Sequence, residues 1–320
     1  MQFAFAQSAE MIDEHDDRFN SRFTDALTAA MHNAFHVYEN PLVGYVGSIM
    51  PARILRMITP EMGNVFDLLE FGAQCVRQWD AQQGDQKNSH PVVFDRLTSL
   101  TEADKITEGI DILVAGSDTT ASSAATAVMQ ILQHPEIETK LVNSLDAAIP
   151  SGAELPPLLE LEKIEYLSTA NKFSYKHACV KECLRFSLSV PGRLPRVVPS
   201  DSEPLIVDGL VVPPGTIVSM SAHTMHTSVS LWGPDARSFN PDRWLASNSK
   251  SLEQYLVSFS KGSRMCIGQN LATAEITIVL AYVFHKYKMN LPADFIPPRR
   301  VDVFTLEYEK PGIPVKVSVR

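Results

Sequence analysis

Cys266 is the residue whose surroundings point most directly to chemistry. It lies in Phe259-Ser260-Lys261-Gly262-Ser263-Arg264-Met265-Cys266-Ile267-Gly268, between two glycines and two residues after a cation. The strongly apolar run that follows, from Gln269 through Phe284, reads as a helix. A thiol at the mouth of a helix faces unpaired backbone N–H groups and the positive end of the helix dipole. Both stabilise negative charge on sulfur, the form in which cysteine binds metals. Gly262 and Gly268 carry no side chain, so the backbone turns tightly and a flat ligand can approach the sulfur. A thiolate held in this way suits an iron ligand that feeds electron density to its metal. An isolated cysteine is more often an inert buried residue.

Other side chains stand at spacings that allow interaction. Glu182 and Arg185 are three apart on one helical face and can pair directly. His32 and His36 are four apart on one helix, but no third ligand lies near them in sequence, so they read as ordinary histidines rather than a metal site. His223 and His226 read as structural or packing residues.

The pattern Phe-x-x-Gly-x-Arg-x-Cys-x-Gly, followed by Leu271, Ala272 and Glu275, resembles the haem-binding loop of the cytochrome P450 monooxygenases. That resemblance implies haem b (iron protoporphyrin IX), with Cys266 as axial iron ligand and Phe259 and Gly268 beside it. Ala115-Gly116-Ser117-Asp118-Thr119-Thr120 resembles the family's oxygen-binding groove. Gly116 would make room for O2, and Asp118 and Thr119 would handle the protons consumed when O2 is cleaved. Glu182 and Arg185, with Arg243 in Phe239-Asn240-Pro241-Asp242-Arg243-Trp244, resemble the family's buried ion-pair triad, a structural role. Arg196 and Arg264 would pair with the haem propionates, since a guanidinium fork suits a carboxylate. Val190 to Leu194 and the turn Lys310 to Pro314 would project into the substrate pocket.

The resemblance implies a monooxygenase that takes electrons from NADPH–cytochrome P450 reductase and inserts one oxygen atom of O2 into an apolar organic substrate. Leu194 to Pro199 and Val212 to Ser221 look most like filamentous-fungal members of secondary metabolism, whose complete forms sit on the cytosolic face of the endoplasmic reticulum. Two alternatives stand beside this one. The chain is a truncated, inactive haem-binding fragment, or a reductase-independent haem-thiolate isomerase or dehydratase acting on a peroxide. The Asp118–Thr119 pair argues against the latter.

Composition excludes several other classes. A net charge of −9 and a pI near 5.5 disfavour a nucleic-acid partner, which needs a basic face. The four cysteines form no secreted disulfide pattern and no haem-attachment Cys-x-x-Cys-His, which suggests a reducing compartment. The longest apolar run, Ile276 to Phe284, falls far short of the roughly 20 residues that cross a bilayer, and the opening residues are too short for a signal peptide.

The elements that must position these residues follow from pattern. The expected fold is mainly α with small β-sheets, as a single cytochrome P450 domain over 1–320 that lacks its N-terminal part. Residues 1–100 form a helical region, 101–135 the oxygen-groove helix, and 178–320 the Glu-x-x-Arg helix, short strands, haem-Cys loop and following helix. A helix starts after Asn20-Ser21, Pro41 to Pro51 is a loop, Met62 to Trp79 a second helix, and Ala81 to Pro91 a polar loop. Thr101-Glu102-Ala103-Asp104 is a capping box that opens the groove helix. Ile137 to Ala147 is helical and Pro150 to Pro157 a loop. Ser168 to His177 reads as an insertion that bulges outward. Leu205–Val207 and Leu210–Val212 form a hairpin about Asp208-Gly209, and Ile217 to Met220 a strand. Asp302 to Arg320 reads as two strands around Lys310 to Pro314. With the N-terminal part lacking, apolar sheet surface is expected to lie uncovered.

Overall fold

The computed structural model describes residues 2–5, 22–58, 61–82, 91–164, 166–167, 169–171, 174–176, 178–200 and 203–320. The chain is mainly helical, with small two-stranded antiparallel sheets. It divides into two compact units, Met1–Asp118 and Thr119–Arg320.

The first unit holds α1 (Gln2–Phe5), α2 (Arg22–Glu39), α3 (Pro41–Ile49), α4 (Ala52–Ile58), α5 (Glu61–Gln82) and the start of α6 (Glu102–Gln133). Pro41 to Pro51 is therefore not a loop. Pro41 occupies the first turn of α3, where its missing N–H costs nothing and its fixed φ favours helix. Gly44 and Gly47 are carried inside the helix. α5 outruns the expected Met62–Trp79 at both ends, and the polar stretch that follows lies mostly outside the described residues. Phe5, Trp79 and Phe94 form the centre of this unit's core, with Phe5 and Phe94 ring centroids 4.5 Å apart. Asp104 N–H donates to Thr101 Oγ1 at 3.2 Å, and the Thr101 hydroxyl donates back to the Asp104 carboxylate at 2.7 Å. The cap thus closes between side chains rather than onto the Thr101 amide.

The second unit contains the rest of α6, α7 (Pro135–Ala148), α8 (Leu158–Leu161), α9 (Ala178–Ser187), α10 (Ala222–His226), α11 (Val229–Trp232), α12 (Ser249–Leu252) and α13 (Gln269–Lys286). In α13, Ile276, Leu280, Ala281 and Phe284 are buried at helical spacing and pack with Ile131, Leu141, Leu145 and Cys183 in one core. β1 (Thr169–Asn171) pairs with β2 (Ser174–Lys176), so the expected bulge closes as a short hairpin over its described residues. β3 (Arg196–Val197) pairs with β6 (Ile217–Val218), a strand shorter than the Ile217 to Met220 expected, and β4 (Leu205–Val207) pairs with β5 (Leu210–Val212). Asp208 and Gly209 turn that hairpin with φ of 49° and 82°, the primed geometry that suits strand twist.

The C-terminal strands differ from expectation. β8 (Arg300–Val303) turns directly into β9 (Thr305–Tyr308), while β10 (Lys316–Val319) pairs with β7 (Tyr287–Asn290), the strand that continues α13. Lys310 to Pro314 does lie between two strands, β9 and β10, but these belong to different sheets. Local alternation marks strands well but carries no information on which distant strand accepts them.

Candidate functional site

The loop before α13 is built by its own backbone. Cys266 N–H donates to the Phe259 carbonyl at 2.8 Å, Met265 N–H to Gly262 at 3.1 Å and Ser260 N–H to Val257 at 2.9 Å. Ser260 and Gly262 take φ of 58° and 78° to make these turns; only Gly adopts that region without steric cost. Phe259 anchors the loop by packing against the unit's main core, and the Ser258 hydroxyl donates to the Leu184 carbonyl at 2.8 Å. Gly268 is the N-cap residue of α13 and no side chain caps the helix, so the first amides stay open toward the loop. A Cβ on Gly268 would lie 3.7 Å from Cys266 Sγ, in ordinary contact with it. The thiol is free and exposed between exposed Met265 and fully exposed Ile267.

Arg264, on the 3-10 turn Gly262–Arg264, and Arg196, on β3, are both exposed. Neither enters an ion pair among the described residues; Arg196 donates only to the Pro195 carbonyl, at 2.8 Å. No group of three or more His, Cys, Asp or Glu side chains that could hold a metal occurs among the described residues. A metal at Cys266 would draw its remaining ligands from a non-protein group, and a planar macrocycle with anionic substituents fits one thiolate, glycine-lined backbone and exposed guanidinium groups.

Gly116, Asp118 and Thr119 follow one another along α6. Gly116 is exposed, and a Cβ built there meets nothing within 4 Å. Asp118 Oδ2 is buried without a hydrogen-bond partner among the described residues. A buried carboxylate oxygen left unpaired costs stability, so it points to a polar function rather than to packing.

Glu182, Arg185 and Arg243 meet in one network. Arg185 grips both carboxylate oxygens, at 2.9 and 2.7 Å, and Arg243 Nε reaches Oε1 at 3.2 Å. Glu182 is 0% exposed. Sequence reasoning missed four further members. Trp244 Nε1 donates to Glu182 at 2.9 Å, Asp235 accepts from Arg243 at 2.9 Å, and the Arg185 guanidinium donates to the His226 and Ala236 carbonyls at 2.8 and 2.6 Å. Trp244 directly follows Arg243, which was the available signal; Asp235 carried none. Cys183, beside this network, has its thiol pKa pushed up by burial and then by the Glu182 charge. A fully buried thiol of this kind is a poor nucleophile. His32 and His36 are exposed on α2 and join no metal cluster among the described residues.

The family profile described as Cytochrome P450 matches residues 2–311. The N-acetyltryptophan 6-hydroxylase of Emericella nidulans is 32% identical over 302 residues, covering 91% of this chain and 56% of its own length. The cytochrome P450 monooxygenase sdnE of Sordaria araneosa is 32% identical over 296 residues, covering 85% of this chain and 55% of its own. The chain thus spans little more than half the length of these two relatives. In fold, the crystal structure of the cytochrome P450DA haem domain superposes with a TM-score of 0.75 at 18% identity, over 100% of this chain and 65% of that one.

Proposed function

The chain belongs to the cytochrome P450 family, and from that premise we propose that it works as a haem-thiolate monooxygenase of fungal secondary metabolism. The observation that carries this reading is the exposed Cys266 thiol, held by its amide bond to Phe259 at the open N-terminus of α13. When bound, haem b supplies the redox chemistry by which one atom of O2 enters an apolar substrate and the other leaves as water, using two electrons and two protons. Cys266 holds the iron, Phe259 and Gly268 shape the loop against the macrocycle, and Arg264 and Arg196 bind its carboxylates. Asp118 and Thr119 hold and pass the protons, and Gly116 leaves the space that O2 requires. Val190 to Leu194 lines the substrate pocket. The electrons come from an NADPH–cytochrome P450 reductase at the endoplasmic reticulum membrane; among the described residues no helix is long and apolar enough to cross one. The hydroxylase names of relatives support the reaction class.

A second reading keeps the haem and drops turnover. It is favoured by exposed apolar side chains on the β4–β5 hairpin, among them Ile206, Leu210 and Val211. The deciding experiment is a carbon-monoxide difference spectrum of the reduced, haem-reconstituted chain, followed by reductase-supported turnover. A strongly red-shifted Soret band that disappears in Cys266→Ala supports thiolate ligation. A band typical of a neutral ligand, or no haem uptake, overturns it; a red-shifted band with no reductase-dependent O2 consumption leaves the second reading.

A further inference from the structure

The carbonyl of Thr119 collects more donors than a helix requires. Within α6 it accepts the Ser123 amide as part of the helical ladder. It is also reached by the hydroxyls of Ser123 at 2.8 Å and Ser189 at 3.0 Å. Those two hydroxyls stand 2.6 Å apart, and the Ser187 hydroxyl lies 3.1 Å from that of Ser123. Each hydroxyl has one proton to give, so the Ser123–Ser189 contact can run in two directions beneath the Thr119 carbonyl. In one, Ser189 donates to Ser123 and Ser123 to the carbonyl; in the other, Ser123 donates to Ser189 and Ser189 to the carbonyl. Either way Thr119 receives a hydroxyl proton.

Neighbouring carbonyls on α6 are engaged in the same manner. Thr126 Oγ1 donates to Ser122 at 2.8 Å, and Cys183 Sγ to Ser123 at 3.1 Å. Side-chain donors on helix carbonyls compete with the amide ladder and open it locally. Ser189 is held from its backbone side as well. Leu306 N–H donates to the Ser189 carbonyl at 3.0 Å, and the Leu306 carbonyl accepts the Ser122 hydroxyl at 3.0 Å. A closed ring of hydrogen bonds therefore joins α6, the segment leaving α9 and β9. The cluster ends at Ser187, which is 2% exposed and whose hydroxyl has no further described partner. It holds geometry rather than carrying protons.

We propose that Ser189 is a positioning residue that couples the Val190–Leu194 segment to Thr119. The proposal rests on the reading above, in which that segment meets substrate and Thr119 handles protons. Substrate pressing on 190–194 moves Ser189, and Ser189 sets the peptide of Thr119 on the groove helix. Without the Ser189 hydroxyl, O2 consumption loses its dependence on a correctly seated substrate.

Ser189→Ala, Ser189→Thr and Ser187→Ala in the full chain test this. Ser187→Ala removes a hydroxyl from the same cluster but none that touches Thr119. In the chain without haem, loss of a donor that competes for the Thr119 carbonyl should lower amide exchange of the peptide containing Ser123 roughly three- to tenfold in Ser189→Ala. It should fall less in Ser187→Ala and return toward wild type in Ser189→Thr. With haem and reductase added, Ser189→Ala should release more hydrogen peroxide per NADPH consumed, with rescue by Ser189→Thr. If Ser189→Ala matches Ser187→Ala in both readouts, or Ser189→Thr rescues neither, the coupling is wrong. If exchange responds as expected while wild type shows no red-shifted carbon-monoxide band, the hydroxyl clamp on Thr119 stands and the oxygenase reading is what falls.

Discussion

His226 and Val257 are joined by a hydrogen bond of 2.9 Å in which the imidazole Nε2 accepts the backbone amide. A carbonyl can only accept, so the proton sits on Nδ1 and is donated to Arg185 at 3.0 Å. The ring thereby ties α9 and its ion-pair network to the segment that runs into Phe259 and Cys266. Only a neutral imidazole can make both bonds.

That requirement gives a pH dependence. Burial first, then the Arg185 charge, lower the His226 pKa to about 4 from its ordinary 6.5. The folded state therefore binds this proton less readily than the unfolded one. The stability tied to the neutral ring is complete above pH 6.5 and is lost progressively as pH falls toward 4, a loss of about 3 kcal/mol. Urea unfolding of wild type and His226→Gln across that window isolates the effect, because carboxylates common to both cancel in the difference. Parallel stability curves for the two proteins would refute it.

Glu182 should tolerate change far less than the surface acids. Glu182→Gln leaves two buried guanidinium groups, Arg185 and Arg243, without their shared charge, and should cost on the order of 3–5 kcal/mol. Asp146→Asn breaks a well-formed but exposed pair with Arg320 and should cost about 1 kcal/mol or less. Denaturation midpoints at constant m-value decide; equal losses would mean that the buried network is stabilised mainly by its carbonyl acceptors.

Asp118→Asn keeps size and removes charge from the unpartnered Oδ2. If Asp118 and Thr119 hold the protons consumed with O2, then Asp118→Asn and Thr119→Ala should lower product formation on the order of a hundredfold. Both should keep the red-shifted carbon-monoxide band, because neither belongs to the thiolate loop. Undiminished turnover in Asp118→Asn would remove it from the proton path.

What was legible in the sequence was local. The Cys266 loop, α6 with its Thr101 cap and the β4–β5 hairpin all follow from short-range rules of turn, cap and period. What stayed hidden depends on partners far away in the chain. Asp235 meets Arg243 through a turn with no pattern of its own, and Ser189 meets Thr119 across 70 positions. β10 chooses β7 rather than its neighbour β9. Pro41 was misread because proline opens helices as readily as it ends them, and only tertiary context distinguishes the two.

Gly116→Ala yields opposite signs for stability and function. A glycine inside a helix costs up to about 1 kcal/mol relative to alanine, through backbone entropy alone. Packing does not demand it here, since a Cβ at Gly116 meets no atom within 4 Å. Alanine should therefore stabilise the chain by roughly 0.5–1 kcal/mol, read as a higher urea midpoint. If the open position serves as room for a diatomic ligand, the same methyl should weaken carbon-monoxide binding to the reduced, haem-loaded protein. Raised stability with weakened binding would assign the glycine to ligand access. Raised stability with unchanged binding would leave it without a function, and lowered stability would show that α6 departs from ideal helix at this residue for reasons of its own.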